Sequence, residues 1–240
     1  MQSLLCYVIA GWSGFFVMAV ELLGGRLLAP TFGSSIYVWG AIITVFMLAL
    51  SLGYLAGGRW STHAPSVARL GAILIVAAAT VLPLILFAEP MLDAVSIAVP
   101  DPRFGSLLGS AVLFFVPTFF SGMVSPYAVR LLVQDRSSSG RHAGQLYFVS
   151  TFGSAAGTLL TSFYLVLLME LNHILLALLT ISGLIGATAL LVGRTGDAGA
   201  GAAAATREAG AGQAPRAHMS GEVDDGRAGA RNETGALHAP

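Results

Sequence analysis

The sequence predicts an all-α integral membrane protein with six transmembrane helices. Apolar stretches follow one another almost without interruption from residue 3 to residue 192. About twenty consecutive apolar residues are enough to cross a hydrocarbon core roughly 30 Å thick. Hydrophobic residues make up 55% of the chain and charged residues only 10%, whereas about a quarter of a soluble domain is charged. Up to Arg194 the charges lie between the apolar stretches, with Glu21 as the notable exception.

The predicted spans are separated by short polar or proline-containing segments. They run from Leu4 to Leu23, Ile36 to Gly58, Val67 to Ala88, Ser106 to Val133, Ala143 to Met169 and Leu171 to Val192. A tight turn around Glu170 to His173 separates the last two, because one helix through both would have about fifty residues, too many for a single crossing. The stretch from Glu89 to Arg103, with three prolines, is predicted to be a loop that contains at most a short interfacial helix.

Arginine is distributed unevenly between the gaps, which predicts the orientation of the helices. Gaps on one side of the membrane, together with the segment after the last helix, contain Arg59, Arg69, Arg130, Arg136, Arg141 and Arg194. The gaps on the other side contain only Arg26 and Arg103. Both termini are therefore predicted to be cytoplasmic. The first apolar stretch lacks a basic leader and is too long for a signal peptide, so we expect it to remain as the first span.

The chain changes character at Thr195. From there to Pro240, Ala, Gly, Arg, Glu and Asp dominate and bulky apolar residues are almost absent. Such a segment cannot bury enough apolar surface to offset the entropy lost on ordering. The predicted organisation is a transmembrane domain over 1–194 and a disordered cytoplasmic tail over 195–240 that is dispensable for insertion.

Glu21 is the first candidate functional residue. Residues at spacings of three and four place it on one face of the first helix with Gly11, Gly14, Met18 and Gly25. Small residues on one face allow helices to approach closely in lipid, so this face is predicted to point toward the bundle. A carboxylate inside a membrane span is costly enough to indicate a role in transport or substrate binding. A structural partnership with Arg26, or a position near the outer headgroups, is the alternative.

Two further faces combine small and polar residues. They contain Gly40, Thr44, Ser51 and Gly58 in the second helix, and Ser150, Gly153, Ser154, Gly157 and Thr161 in the fifth. Close helix contact is the expected use of both faces, and lining a cavity is the alternative. In such a cavity, Tyr54, Tyr127 and Tyr147 would contribute cation–π contacts through their rings and hydrogen bonds through their hydroxyls. The candidate substrate-binding residues are thus Glu21, Arg26, Tyr54, Tyr127 and Tyr147.

Several classes of function have no counterpart in the sequence. It contains no strand pattern, no glycine-rich phosphate loop after a strand and no cluster of Asp, His or Cys with ligand spacing. The lone Cys6 excludes an intramolecular disulfide. We therefore expect no cofactor, no metal site, no nucleic-acid partner and no catalytic activity of the chain's own.

Two stretches resemble a known family. They are ELLGGRLLAPTFGSSIYVWGAIITVFMLALSLGYLAGGR, from Glu21 to Arg59, and GQLYFVSTFGSAAGTLLTSFYLV, from Gly144 to Val166, with GMVSPYAVRLL just before the second. Both are similar to the membrane domain of bacterial spermidine synthase-like proteins. In many members this domain is fused to a cytoplasmic aminopropyltransferase that binds decarboxylated S-adenosylmethionine and a polyamine. Here the Ala/Gly-rich tail occupies that position, so the resemblance does not imply a synthase.

The resemblance implies a role at the bacterial inner membrane in polyamine metabolism. The chain would be a transporter-like or membrane-anchoring partner of a separate cytoplasmic synthase-like enzyme. Two alternatives remain open: a self-sufficient polyamine transporter with Glu21 as counter-charge, and a structural subunit that does not transport. The GYLAGGR segment before the third helix also resembles a cytoplasmic motif of major facilitator transporters. Because six helices are half of that fold, this second resemblance implies a homo-oligomer.

Overall fold

A computed structural model describes residues 2–62, 65–133 and 139–211. All regular structure in these ranges is helical, as the sequence predicts. The helices are α1 (Gln2–Phe32), α2 (Ile36–Trp60), α3 (Val67–Ala79), α4 (Leu82–Ala98), α5 (Pro102–Leu132), α6 (Ser139–Leu160), a π-helical turn (Thr161–Leu165), α7 (Val166–Leu168) and α8 (Leu171–Ala211).

Within the described residues, six helical segments are long and apolar enough to cross a membrane. They are Gln2–Phe32, Ile36–Trp60, Val67–Ala98, Pro102–Leu132, Gly140–Leu168 and Leu171–Thr195. This confirms the prediction of a multi-pass, all-α membrane protein. Because α3 and α4 form one span, as do α6, the π turn and α7, the number of spans agrees with the sequence analysis.

The chain divides into two units, Met1–Ala200 and Gly201–Pro240. The first contains all six spans. In the second, the backbone is helical to Ala211, where α8 ends, and residues 212–240 lie outside the described ranges. The predicted boundary at residue 194, and the predicted disorder of the tail, stay predictions.

The predicted loop from Glu89 to Arg103 is wrong in extent. Helix α4 continues through Ala98, so Glu89, Pro90 and Asp93 are helical. Only Val99 to Asp101 separate α4 from α5. A proline inside a helix removes one backbone hydrogen bond, and membrane helices tolerate it when neighbouring groups satisfy the freed carbonyl. The acidic residues on α4 therefore reflect a helix that continues past its apolar part rather than a change to loop structure.

Helix α1 is also longer than the predicted span, which ended at Leu23. It ends at Phe32, and the following Gly33 has a φ of 80° and donates its N–H to the carbonyl of Ala29 at 2.9 Å. A glycine with left-handed backbone is a common helix stop, because other residues adopt this conformation at a steric cost. Glu21 and Arg26 consequently both lie inside a helix.

Glycines bring the helices together in pairs. A Cβ on Gly14 would collide with the carbonyl oxygen of Ser150, and one on Gly153 with the carbonyl oxygen of Gly11. Close backbone contact of this kind, between α1 and α6, confirms the predicted use of the small faces of the first and fifth spans. Other glycines form equivalent contacts between α2 and α5 (Gly53 and Gly57) and between α3 and α8 (Gly71 and Gly186).

The small face of α2 does not pack within the described part of the chain. Thr44 and Ser51 are exposed, and a Cβ on Gly40 or Gly58 would meet nothing within 4 Å. Within the described residues this face contacts no other helix, so the predicted close helix contact stays a prediction for α2. Helix α2 instead uses the face that contains Gly53 and Gly57, which lies against α5.

The two ends of the bundle differ in their charged residues. The first, called here the arginine-rich end, contains the described residues Arg59, Arg69, Arg130, Arg141 and Arg194, because α2, α5 and the sixth span end there and α3 and α6 begin there. At the other, the acidic end, lie Glu89, Asp93, Asp101 and Glu170, together with Arg26 and Arg103.

Candidate functional site

Glu21 lies within the first span, eleven residues before α1 ends, and its side chain is half-buried. Helices α1 and α6 lie side by side and run in the same direction, since Gly11 contacts Gly153 and Phe15 contacts Gly157. Continuing this register places Glu21 level with the π turn of the fifth span. Among the described residues, no hydrogen bond or ion pair reaches the carboxylate.

The neighbours of Glu21 on α1 define the direction in which it faces. Gly14 lies two turns earlier on the same face and contacts α6 through Ser150 and Ser154. Gly25 lies one turn later and packs under the indole ring of Trp39 in α2, with its ideal Cβ position 2.7 Å from the ring. Glu21 is therefore on the side of α1 that is bordered by α2 and α6.

One face of α6 supplies hydroxyl groups on the same side. Tyr147, Thr151, Ser154 and Thr158 follow at spacings of four, three and four, so they form one line along the helix. The phenol of Tyr147 lies within electrostatic range of the phenol of Tyr54 on α2, which orients this line toward α2. We call the strip along α1 and α6 that carries these residues and Glu21 the Glu21 groove.

The opposite side of α6 is apolar. Phe148, Phe152, Leu159 and Phe163 are exposed, and the rings of Phe148 and Phe152 stack with centroids 6.1 Å apart. A helix with aromatic residues on one side and hydroxyls on the other fits a boundary between lipid and a polar space. Sequence analysis did not single out Thr151 and Thr158, although their spacing from Tyr147 is visible in the sequence.

Thr161 opens the π turn at the level of Glu21. Its side chain is fully buried, and its Oγ1 has no hydrogen-bond partner among the described residues. A buried hydroxyl without a partner costs free energy. π-helical turns are frequent at functional sites, because they interrupt the regular backbone hydrogen bonding.

Arg26 takes no part in an ion pair with Glu21 in the described structure. Its Nη1 donates a hydrogen bond to the backbone oxygen of Val166 at 3.1 Å. This guanidinium therefore lies at the carboxyl end of the fifth span, where the helix dipole favours positive charge. Arg26 also lines a pocket of ≈ 590 Å³ at the acidic end, which includes Glu89, Asp93 and Glu170.

Tyr127 lies apart from the Glu21 groove. It is buried in α5 near the arginine-rich end, and its hydroxyl accepts a hydrogen bond of 3.3 Å from the backbone N–H of Ser66. The structure thus separates the five predicted site residues. Glu21 lies near the acidic end of the groove, and Tyr54 and Tyr147 lie at its arginine-rich end, about 24 Å along the helix. Arg26 lies beyond Glu21 toward the acidic end, and Tyr127 supports the start of α3.

No protein-family model matches the sequence, and no curated protein or solved structure is detectably similar to it.

Proposed function

We propose that this protein is a transporter-like membrane protein related to the spermidine synthase-like family, and that its Glu21 groove binds a polyamine or a similar small organic cation. The observation that carries the proposal is a half-buried carboxylate in a membrane span that no hydrogen bond or ion pair reaches among the described residues. Such a group must be neutralised by a proton or a cation, because an isolated charge in an apolar environment is strongly unfavourable.

The remainder of the groove fits an amine. An alkylammonium group carries several N–H donors, and the hydroxyl oxygens of Thr151, Ser154 and Thr158 offer acceptors along the wall. Ser154 and Thr158 already donate their own protons to carbonyls of α6, at 3.1 and 3.0 Å. Their oxygen lone pairs remain available to an incoming donor. Tyr54 and Tyr147 lie about 24 Å further along the groove, where their aromatic faces would meet a cation that moves toward the arginine-rich end.

Charge at the acidic end favours the same class of substrate. Glu89, Asp93 and Glu170 line one pocket, and Arg26 is the single positively charged side chain among its described lining residues. Clefts with an excess of one charge raise the local concentration of oppositely charged solutes. A cation entering from this end would meet three carboxylates before it reaches Glu21.

The proposal includes the resemblance to the membrane domain of spermidine synthase-like proteins. On that basis the chain lies in a bacterial inner membrane with both termini in the cytoplasm, and a separate synthase-like enzyme is its cytoplasmic partner. Single cysteines in a Cys6→Ser background test the orientation. The cysteine of Pro100→Cys should react with a membrane-impermeant reagent added from outside. Reaction from the cytoplasmic side alone would show that the orientation is the opposite of the one proposed.

Uptake of labelled spermidine into proteoliposomes tests the transport role. Glu21→Gln keeps the size of the side chain and removes its charge, so it should insert and fold normally but lose most of the uptake. Asp101→Asn removes the same charge from an exposed side chain at the acidic end that does not line the pocket of Glu89, Asp93 and Glu170. It is the matched control and should retain most of the uptake.

Two outcomes would contradict the proposal. A folded Glu21→Gln variant with full uptake would remove Glu21 from the site. Failure of the wild-type protein to take up or bind spermidine, with correct folding, would favour the structural subunit that does not transport.

A further inference from the structure

The arginine-rich end contains a second cavity, which is separate from the Glu21 groove. It has a volume of ≈ 830 Å³ and lies between α2, α3 and α5. Arg59, Trp60 and Arg69 line it, together with apolar side chains that include Ile73, Val76 and Phe120. Neither the sequence motifs nor the proposed transport role accounts for this cavity.

The charged and apolar parts of the cavity are arranged along α3. Arg69 is in the first turn of α3, and Arg59 is in the last turn of α2, so both guanidinium groups belong to the end of the bundle. Ala72, Ile73 and Val76 follow Arg69 by one and two turns, and they extend the lining toward the centre of the membrane. A positively charged mouth is thus joined to an apolar channel.

Two features indicate the depth of the arginines in the membrane. Trp60 ends α2 with 62% of its surface exposed, and tryptophan in such a position favours the headgroup region of a bilayer. The side chain of Ser66 accepts a hydrogen bond of 3.3 Å from the backbone N–H of Arg69 and so caps α3. The two arginines are therefore held at headgroup level rather than above the membrane.

We propose that this cavity binds one molecule of anionic phospholipid, with its phosphate between Arg59 and Arg69 and one acyl chain along Ala72, Val76 and Phe120. None of the described lining residues is acidic, and arginine is well suited to contact phosphate oxygens. The apolar walls distinguish a lipid from a free anion, because a soluble phosphate compound would leave them without a partner. Basic pockets between membrane helices are known binding places for anionic headgroups.

Lipid titration of the full-length protein tests the proposal. After removal of lipid in detergent, short-chain phosphatidylglycerol should raise the melting temperature and remain bound in native mass spectrometry, whereas phosphatidylcholine of equal chain length should do neither. Arg59→Gln or Arg69→Gln should each weaken phosphatidylglycerol binding about fivefold, and the double variant about 25-fold. The double variant Arg130→Gln/Arg194→Gln removes two arginines from the same end outside the cavity, and it should bind normally.

A second variant examines the acyl chain. Val76→Trp fills the apolar channel but keeps both arginines, so it should lose phosphatidylglycerol binding while its melting temperature without lipid stays near that of the wild type. Glycerol phosphate, added as the free headgroup, should have no effect. Equal binding of phosphatidylcholine, a similar stabilisation by glycerol phosphate, or unchanged lipid binding by Val76→Trp would each overturn the proposal.

Discussion

Two faces with the same kind of sequence have opposite surroundings in this protein. The face of α6 that contains Ser150, Gly153 and Gly157 is pressed against α1 so closely that an added Cβ would collide with backbone atoms. The face of α2 that contains Gly40 and Gly58 has open space at both glycines. Regular spacing of small residues therefore shows where a helix can be approached closely, but not whether another helix of the same chain approaches it.

The neighbouring face of α2 explains the difference. Gly53 and Gly57 contact the backbone of α5 at Phe119 and Met123. A helix between lipid and a bundle needs only one such contact face. Apolar residues of the preceding turns, Val45, Phe46 and Ala49, complete the buried surface of α2. On α6 few of the described residues are buried, so the small residues provide most of the contact with α1, together with Leu146 and Val149.

The largest expected effect is on the contact between α1 and α6. Gly153→Leu places a side chain where the backbone of Gly11 lies, and backbone cannot move aside as a side chain can. We expect a loss of at least ~3 kcal/mol of stability, at the upper limit of typical overpacking. The yield of monodisperse protein in detergent and its melting temperature measure this loss. Gly40→Leu, the matched change on α2, should leave both nearly unchanged, and equal effects of the two would invalidate the distinction between the faces.

A smaller difference in stability is expected between substitutions at two glycines of α1. Gly14→Ala meets the carbonyl of Ser150, whereas Gly24→Ala meets the ring of Phe114 at 3.1 Å. Because a ring can rotate or shift, we expect Gly24→Ala to cost about 1 kcal/mol or less and Gly14→Ala about 2 kcal/mol. Chemical denaturation of both variants in the same detergent gives this difference. The reverse order would mean that backbone contact is not what limits the space at Gly14.

The number of spans followed from the sequence because hydropathy and length determine it directly. The ends of the spans did not. Glu89 and Asp93 were predicted to be loop residues because they are charged. A helix can nevertheless continue into the headgroup region, where charged side chains are solvated. The extension of α1 to Phe32 was missed for a similar reason, since the Gly33 stop is recognisable only from its backbone conformation.

The candidate site was predictable in part. The carboxylate of Glu21 is conspicuous in any reading of the sequence, and its face on α1 was correct. Which residues of other helices lie in the groove depends on which helix packs beside α1. The spacing of residues along one helix contains no information about its neighbours. Tyr127 illustrates the limit: as a tyrosine in a membrane span it resembles Tyr54 and Tyr147, but it is buried in α5 and its hydroxyl accepts a hydrogen bond from Ser66, outside the groove.

A modest effect is expected at the contact between α1 and α8. The Nε1 of Trp12 donates a hydrogen bond of 2.8 Å to Oγ of Ser182, which is fully buried. Trp12→Phe and Ser182→Ala each remove this bond, and their coupling in a double-mutant cycle should be about 0.6 kcal/mol, the average for such bonds in membranes. Melting temperatures of the four proteins supply the cycle. Additive losses would show that the two side chains do not interact in the folded protein.

The smallest effect is expected on the open face of α2, and it completes the comparison. Thr44 and Ser51 are polar residues on exposed positions, but each hydroxyl donates to a carbonyl of its own helix at 2.7 Å, to Gly40 and Met47 respectively. Neither hydroxyl stabilises a contact between helices of the described chain, and hydroxyls bonded in this way slightly disfavour the helix. Thr44→Val and Ser51→Ala should therefore change stability by less than ~0.5 kcal/mol, as for other surface substitutions. Melting curves of the two variants measure this difference. A loss above 1 kcal/mol in either variant would show that the α2 face is covered in the folded protein, and the contrast with α6 would then disappear.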